Sequence, residues 1–140
     1  MRGLVEFSNV CRRNCRYCGL RAANRQLVRY TLSKDEIMET ATEAVTAGAD
    51  TLVLQAGEYA VPPQWLAGVV DAIRRDLRVP VTLSVGEQPR TACALWKEAT
   101  GRILYVCTAG SLRCCFQCES YRSMSWVLRF GFGFCVLPSA

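Results

Sequence analysis

Cys11-Arg-Arg-Asn-Cys15-Arg-Tyr-Cys18 holds three cysteines at the spacing Cys-x-x-x-Cys-x-x-Cys, with an aromatic residue, Tyr17, just before the last. Thiolates grouped this closely are ligands for soft metals. A closed structural zinc site takes four ligands, whereas three cysteines on a 4Fe-4S cluster leave one iron open to bind a further molecule. The zinc reading stays open if a distant cysteine, Cys93 or Cys107, supplies a fourth thiolate. With no histidine in 140 residues, a Ser-His triad, a His-paired cysteine nucleophile and any zinc site needing imidazole are excluded.

Nine cysteines could suggest a secreted disulfide scaffold, but the odd count and the aliphatic helical segments oppose it, as does the lack of a signal-peptide pattern. No run reaches the roughly 18 apolar residues that a membrane helix needs. The expectation is a cytoplasmic protein with no membrane association. The net charge is +5, yet Arg12, Arg13, Arg16 and Arg21 crowd around the cysteines instead of striping a helix. Nucleic-acid binding is therefore not the favoured reading, and these cations can offset the negative charge of a thiolate-ligated cluster.

Regular elements must hold this loop. Leu4 to Ser8 reads as a strand running straight into the cysteines, and Ser33-Lys-Asp-Glu36 forms a capping box ahead of a helix that stops near Gly48. Thr51 to Gln55 is a second apolar strand, ending in Ala56-Gly57-Glu58. Pro62-Pro63 opens a helix with Trp65, Leu66, Val69, Val70, Ile73 and Leu77 at helical spacing, broken at Val79-Pro80. Val81 to Val85 is a third strand, with Gly86-Glu87 at its tip. A short helix over 91–99 and a possible fourth strand over 103–106 follow. The alternation predicts an α/β fold, a parallel sheet covered by helices, either open and doubly wound or part of a barrel. In both, chemistry sits at the C-terminal strand ends, where the cysteine loop and both Gly-Glu pairs fall.

These motifs resemble the radical SAM superfamily. More narrowly, Glu6-Phe-Ser-Asn-Val-Cys11, Tyr17-Cys-Gly-Leu-Arg21, Val53-Leu-Gln-Ala-Gly-Glu58 and Thr82-Leu-Ser-Val-Gly-Glu-Gln-Pro-Arg90 look like the HydE-type iron-iron hydrogenase maturases, with biotin synthase and methylornithine synthase as cousins. The resemblance covers about residues 3–99. It implies a partial (β/α) barrel of the first three to four βα units. It further implies a 4Fe-4S cluster on Cys11, Cys15 and Cys18 whose open iron chelates S-adenosylmethionine, and reductive cleavage of that molecule to a 5′-deoxyadenosyl radical. Tyr17 would lie against the nucleoside, and Ala56, Gly57 and Glu58 would meet the methionine amino group. Implied partners are a small-molecule substrate, a reductant protein such as ferredoxin or flavodoxin, and other hydrogenase maturation proteins.

Bland roles compete for the same residues. Tyr17 can be a half-buried loop aromatic, Glu58 and Glu87 solvated acids, and Gly57 and Gly86 mere turn residues. Trp65 and Trp96 read as core, and Cys93 as a small core residue. The whole chain can also be a zinc- or cluster-binding module without catalysis.

Two domains are expected, a partial radical SAM core over 1–99 and an atypical Cys/Phe-rich tail over 100–140. In the tail Cys107, Cys114, Cys115, Cys118 and Cys135 lie among Phe, Trp, Ser and Gly without periodicity. One codon choice for Met124 to Arg129, read in a shifted frame, encodes Glu-Leu-Gly-Phe-Glu, which hints at a frameshift. The resemblance also implies an initial helix and a later Arg-x-Glu-Thr motif. Neither is present, and the expected glutamate position holds Ala109. The chain is therefore read as an N-terminal piece, inactive alone.

Overall fold

In a computed structural model, residues 1–100 are described, the side chain of residue 100 excepted. The possible fourth strand over 103–106, the Ala109 position and the remainder of the cysteine-rich tail lie outside them.

The order is β1 (Arg2–Ser8), α1 (Lys34–Thr46), β2 (Thr51–Ala56), α2 (Pro63–Leu77), β3 (Val81–Ser84) and α3 (Arg90–Thr100). The three strands form one parallel sheet in the order β1-β2-β3. Sequential order with every strand parallel fits the winding of a barrel segment. The described residues thus form three βα units of an α/β fold of the partial-barrel type.

One face of the sheet is apolar and covered. Val5, Phe7, Leu52, Leu54, Val81 and Leu83 are buried and pack with Ile37 and Ala41 of α1, the apolar face of α2, and Ala92 and Trp96 of α3. The opposite face carries no helix among the described residues, and its residues differ in kind. Leu4 is 59% exposed beside Val5 at 1%, and across the register lie the rows Leu4-Val53-Thr82 and Glu6-Gln55-Ser84. In a closed barrel that face is the interior.

Local chemistry sets the boundaries. Ser33 and Glu36 form the expected capping box, with Ser33 N–H donating to Glu36 (2.7 Å) and Glu36 N–H to Ser33 Oγ (3.3 Å). Gly48 takes φ 94° just past the end of α1. Pro63 begins α2 and the helix ends at Leu77 ahead of Val79-Pro80, as the sequence predicts, with Arg78 in the left-handed conformation (φ 57°) at the C-cap. Trp96 is fully buried, and its indole N–H donates to the Pro63 carbonyl at 2.8 Å, tying α3 to the start of α2. Trp65 packs on the core edge against Phe7, ring centroids 6.0 Å apart. Cys93 is half-buried, with its thiol 3.8 Å from the Gln88 carbonyl. Among the described residues no helix is long and apolar enough to cross a membrane.

Candidate functional site

Because the strands are parallel, the segments leaving β1, β2 and β3 emerge along one edge. The first carries the cysteines, the second Gly57-Glu58, the third Gly86-Glu87. Two glycines let these tips close up. A Cβ on Gly57 would lie 2.2 Å from the Val10 carbonyl oxygen and 3.0 Å from the Cys11 Cβ. Gly57 is therefore required by close approach of the cysteine loop, beyond the turn-only role of the bland alternative. Its N–H donates to the Ser8 carbonyl (3.0 Å). Gly86 does both jobs: φ is 69°, and a Cβ there would meet Glu58 Cγ at 2.6 Å.

Glu58 is not the solvated acid of the bland alternative, while Glu87 stays a third exposed. Glu58 is 11% exposed and accepts from Arg12 Nη2 (3.2 Å) and Arg13 Nε (2.7 Å), while Arg13 Nη2 reaches Glu87 at 2.8 Å. Arg12 N–H also donates to the Glu58 carbonyl at 2.7 Å. The hydrogen bond and charge of Glu58, and then the charge of Glu87, push the Arg13 guanidinium above its ordinary value. Arg13, from within the cysteine motif, thus bridges the tips of β2 and β3. Arg12 and Arg13 are committed to these acids, which leaves Arg16, Arg21 and Arg25 exposed on the loop.

The loop is hydrogen-bonded throughout. Successive turns run Cys18 N–H to Cys15 O (3.2 Å), Arg21 N–H to Cys18 O (3.2 Å) and Asn24 N–H to Arg21 O (3.0 Å). Ala22 N–H returns to the Arg13 carbonyl (2.8 Å), and Ala23 N–H to Asn14 Oδ1 (3.0 Å). At the base Asn9, 5% exposed, donates its amide to Val28 O and accepts from Tyr30 N–H, both at 2.8 Å. The Arg29 guanidinium spans the same base. Asn9 and Arg29 are site residues that the sequence reading passed over; the one signal was polarity at positions flanking the cysteines.

Cys11, Cys15 and Cys18 are half-buried free thiols. Among the described residues no three His, Cys, Asp or Glu side chains converge tightly enough to hold a single ion. Three free thiols without histidine are, by residue type, the donor set that a 4Fe-4S cluster takes. Tyr17 is 83% exposed beside them, so its ring is open to a ligand and is not the half-buried aromatic of the bland reading. A shallow cleft lined by Arg12, Tyr59, Glu87, Gln88 and Pro89 adjoins the Arg13 bridge.

This constellation at the strand tips, together with likeness to known proteins, defines the class: the N-terminal part of the chain belongs to the radical SAM superfamily. Within it, the chain is 48% identical over 102 residues to the [FeFe] hydrogenase maturase subunit HydE of Thermotoga maritima, an alignment covering 71% of this chain and 28% of that protein. It is 33% identical over 78 residues to an FO synthase of Mycobacterium leprae, covering 54% of this chain and 9% of that protein. In fold it is similar to the FeFe-hydrogenase maturase HydG of Carboxydothermus hydrogenoformans, with TM-score 0.62 at 22% identity over 70% of this chain and 24% of that one. No protein-family model matches the chain. The chain spans under a third of the HydE relative it matches, 28% of its length.

Proposed function

We propose that this chain carries the cofactor-binding part of a HydE-type radical SAM hydrogenase maturase, with a 4Fe-4S cluster on Cys11, Cys15 and Cys18. The observation that carries the reading is the set of three free thiols on a closed loop at the C-terminal edge of a parallel sheet, in a chain 48% identical to HydE over that region. When bound, the cluster and S-adenosylmethionine supply reductive cleavage to methionine and a 5′-deoxyadenosyl radical. The chain's own residues position and shield. Tyr17 offers an exposed ring to the nucleoside, and Ala56, Gly57 and Glu58, packed beside Cys11, offer the strand tip to the methionine amino group. Arg12 and Arg13 fix Glu58 in place.

By the same reading, the partners are a small-molecule substrate drawn into the barrel interior, a ferredoxin- or flavodoxin-type reductant, and other maturation proteins, all in the cytoplasm. Residues 1–99 are the core, and 100–140 arise from a shifted reading frame. Among the described residues the sheet edges and the face opposite the helices offer a radical little shelter, and by this reading the chain alone is inactive. A turnover assay yielding 5′-deoxyadenosine at the rate of an intact enzyme would overturn that last point.

Cysteine substitution tests the ligand set. After anaerobic reconstitution with ferrous iron and sulfide, the chain should hold about four irons. Cys11→Ser, Cys15→Ser and Cys18→Ser should each lose most of that iron, and Cys93→Ser should keep it. Dependence on Cys93 with zinc retained would favour the non-catalytic zinc module.

A further inference from the structure

A single guanidinium gathers the two flanks of the cysteine loop. Arg29 Nη1 donates to the carbonyls of Asn9 (2.7 Å) and Leu20 (2.8 Å), and Nη2 to those of Arg21 (2.8 Å) and Asn24 (3.5 Å). Asn9 lies just before Cys11, and Leu20 and Arg21 just after Cys18, so one planar group grips both flanks of the motif. Converging carbonyl dipoles repel one another unless a cation sits among them. Arginine suits the position because its donors are fixed in a fork, while an ammonium is a point charge with rotating donors.

The grip is reciprocal. The Asn9 side chain donates to Val28 O and accepts from Tyr30 N–H, both at 2.8 Å, which holds the backbone on either side of Arg29. Asn9 N–H reaches Tyr30 O at 3.4 Å, and Ser8 Oγ donates to Tyr30 O at 3.0 Å. Both ends of the loop are thereby latched to the end of β1. The other loop arginines differ: Arg16, Arg21 and Arg25 are exposed, whereas Arg29 is half-buried.

We infer that Arg29 is a positioning residue that pre-forms the cysteine loop in the metal-free chain and thereby sets how readily the cluster assembles. The inference rests on the proposed cluster site for its purpose, but the latch is testable without iron.

The experiment compares wild type, Arg29→Met, Arg29→Lys and the loop control Arg25→Met as reduced, metal-free full-length chains. Site-resolved alkylation by iodoacetamide, read by mass spectrometry, gives the rates at Cys11, Cys15 and Cys18 relative to Cys93. Urea unfolding followed by circular dichroism reports the helices. Loss of one charge-assisted latch should raise the three loop rates relative to Cys93 by about tenfold in both Arg29 variants. Arg25→Met should behave as wild type. Methylguanidinium should reverse part of the Arg29→Met effect, and methylammonium should not. In reconstitution, Arg29→Met should take up several-fold less iron than wild type.

Unchanged alkylation ratios would overturn the inference, as would a uniform rise at Cys93 with a matching drop in urea midpoint, since that is a general loss of fold. If Arg29→Met does not fold, Arg29→Lys decides by the same ratio. If wild type takes up no iron while the ratios shift as stated, the cluster proposal fails and the latch stands.

Discussion

Gly57 is the position where the geometry makes the sharpest demand. Replacing it by alanine puts a Cβ 2.2 Å from the Val10 carbonyl oxygen, which must retreat to at least 3.4 Å for ordinary contact. That carbonyl belongs to the residue preceding Cys11, so the cysteine loop moves with it. Two hydrogen bonds stretch as the tips part: Gly57 N–H to Ser8 O (3.0 Å) and Arg12 N–H to Glu58 O (2.7 Å). At about 1 kcal/mol net for each bond, plus one to a few for forced overpacking, Gly57→Ala should cost roughly 2–4 kcal/mol. For a domain whose whole stability is of order 5–15 kcal/mol this is a large fraction. Gly19→Ala is the matched control, because nothing lies within 4 Å of a Cβ there in the same loop; its effect should stay within about 0.5 kcal/mol. Urea denaturation followed by circular dichroism measures the first difference, and iron per chain after anaerobic reconstitution measures the second, with Gly57→Ala several-fold lower. Equal midpoints and equal iron for the two variants would refute the close-approach argument.

Other substitutions probe the surrounding parts. Leu54→Ala, at a fully buried position of β2, should lose about 3 kcal/mol in urea unfolding. Arg13→Met should free Glu87, leave Glu58 paired with Arg12 alone and speed iron loss from the reconstituted chain, with the difference from wild type shrinking at high salt because the pairs are partly exposed. Glu36 is held below the ordinary carboxylate range, first by the Ser33 N–H and then by its hydroxyl. Its charged form therefore stabilises the helix start above the unfolded-state pKa, and that contribution disappears as pH falls through the lowered value. Glu36→Gln keeps the cap geometry without the charge. It should be less stable than wild type at neutral pH and equal to it in acid, by thermal melts across that range.

The regular elements were legible because their signals are local. Ser33 and Glu36 three residues apart make a capping box in any context, and the apolar runs at 51–55 and 81–85 admit only buried strands between the glycines and prolines that bound them. The cysteines were legible through count and spacing. What escaped depends on distance in sequence. Nothing near Gly57 announces that Val10 will press against it, and an acid after a glycine looks solvated until Arg12 and Arg13 arrive from 45 or so residues away. Arg29 was hidden among other loop arginines, since which guanidinium finds four carbonyls is decided by how the loop folds back. The end of α2 after Leu77 was legible from Val79-Pro80, but its left-handed cap at Arg78 was not, since a left-handed arginine is uncommon where glycine is the usual choice.

The central claim is that Cys11, Cys15 and Cys18 hold a 4Fe-4S cluster with one iron left open. The most direct test is electron paramagnetic resonance of the anaerobically reconstituted, dithionite-reduced chain, recorded with and without S-adenosylmethionine. The account predicts a 4Fe-4S signal that shifts when S-adenosylmethionine is added. A chain that is folded by circular dichroism, binds zinc and yields no cluster signal would contradict it.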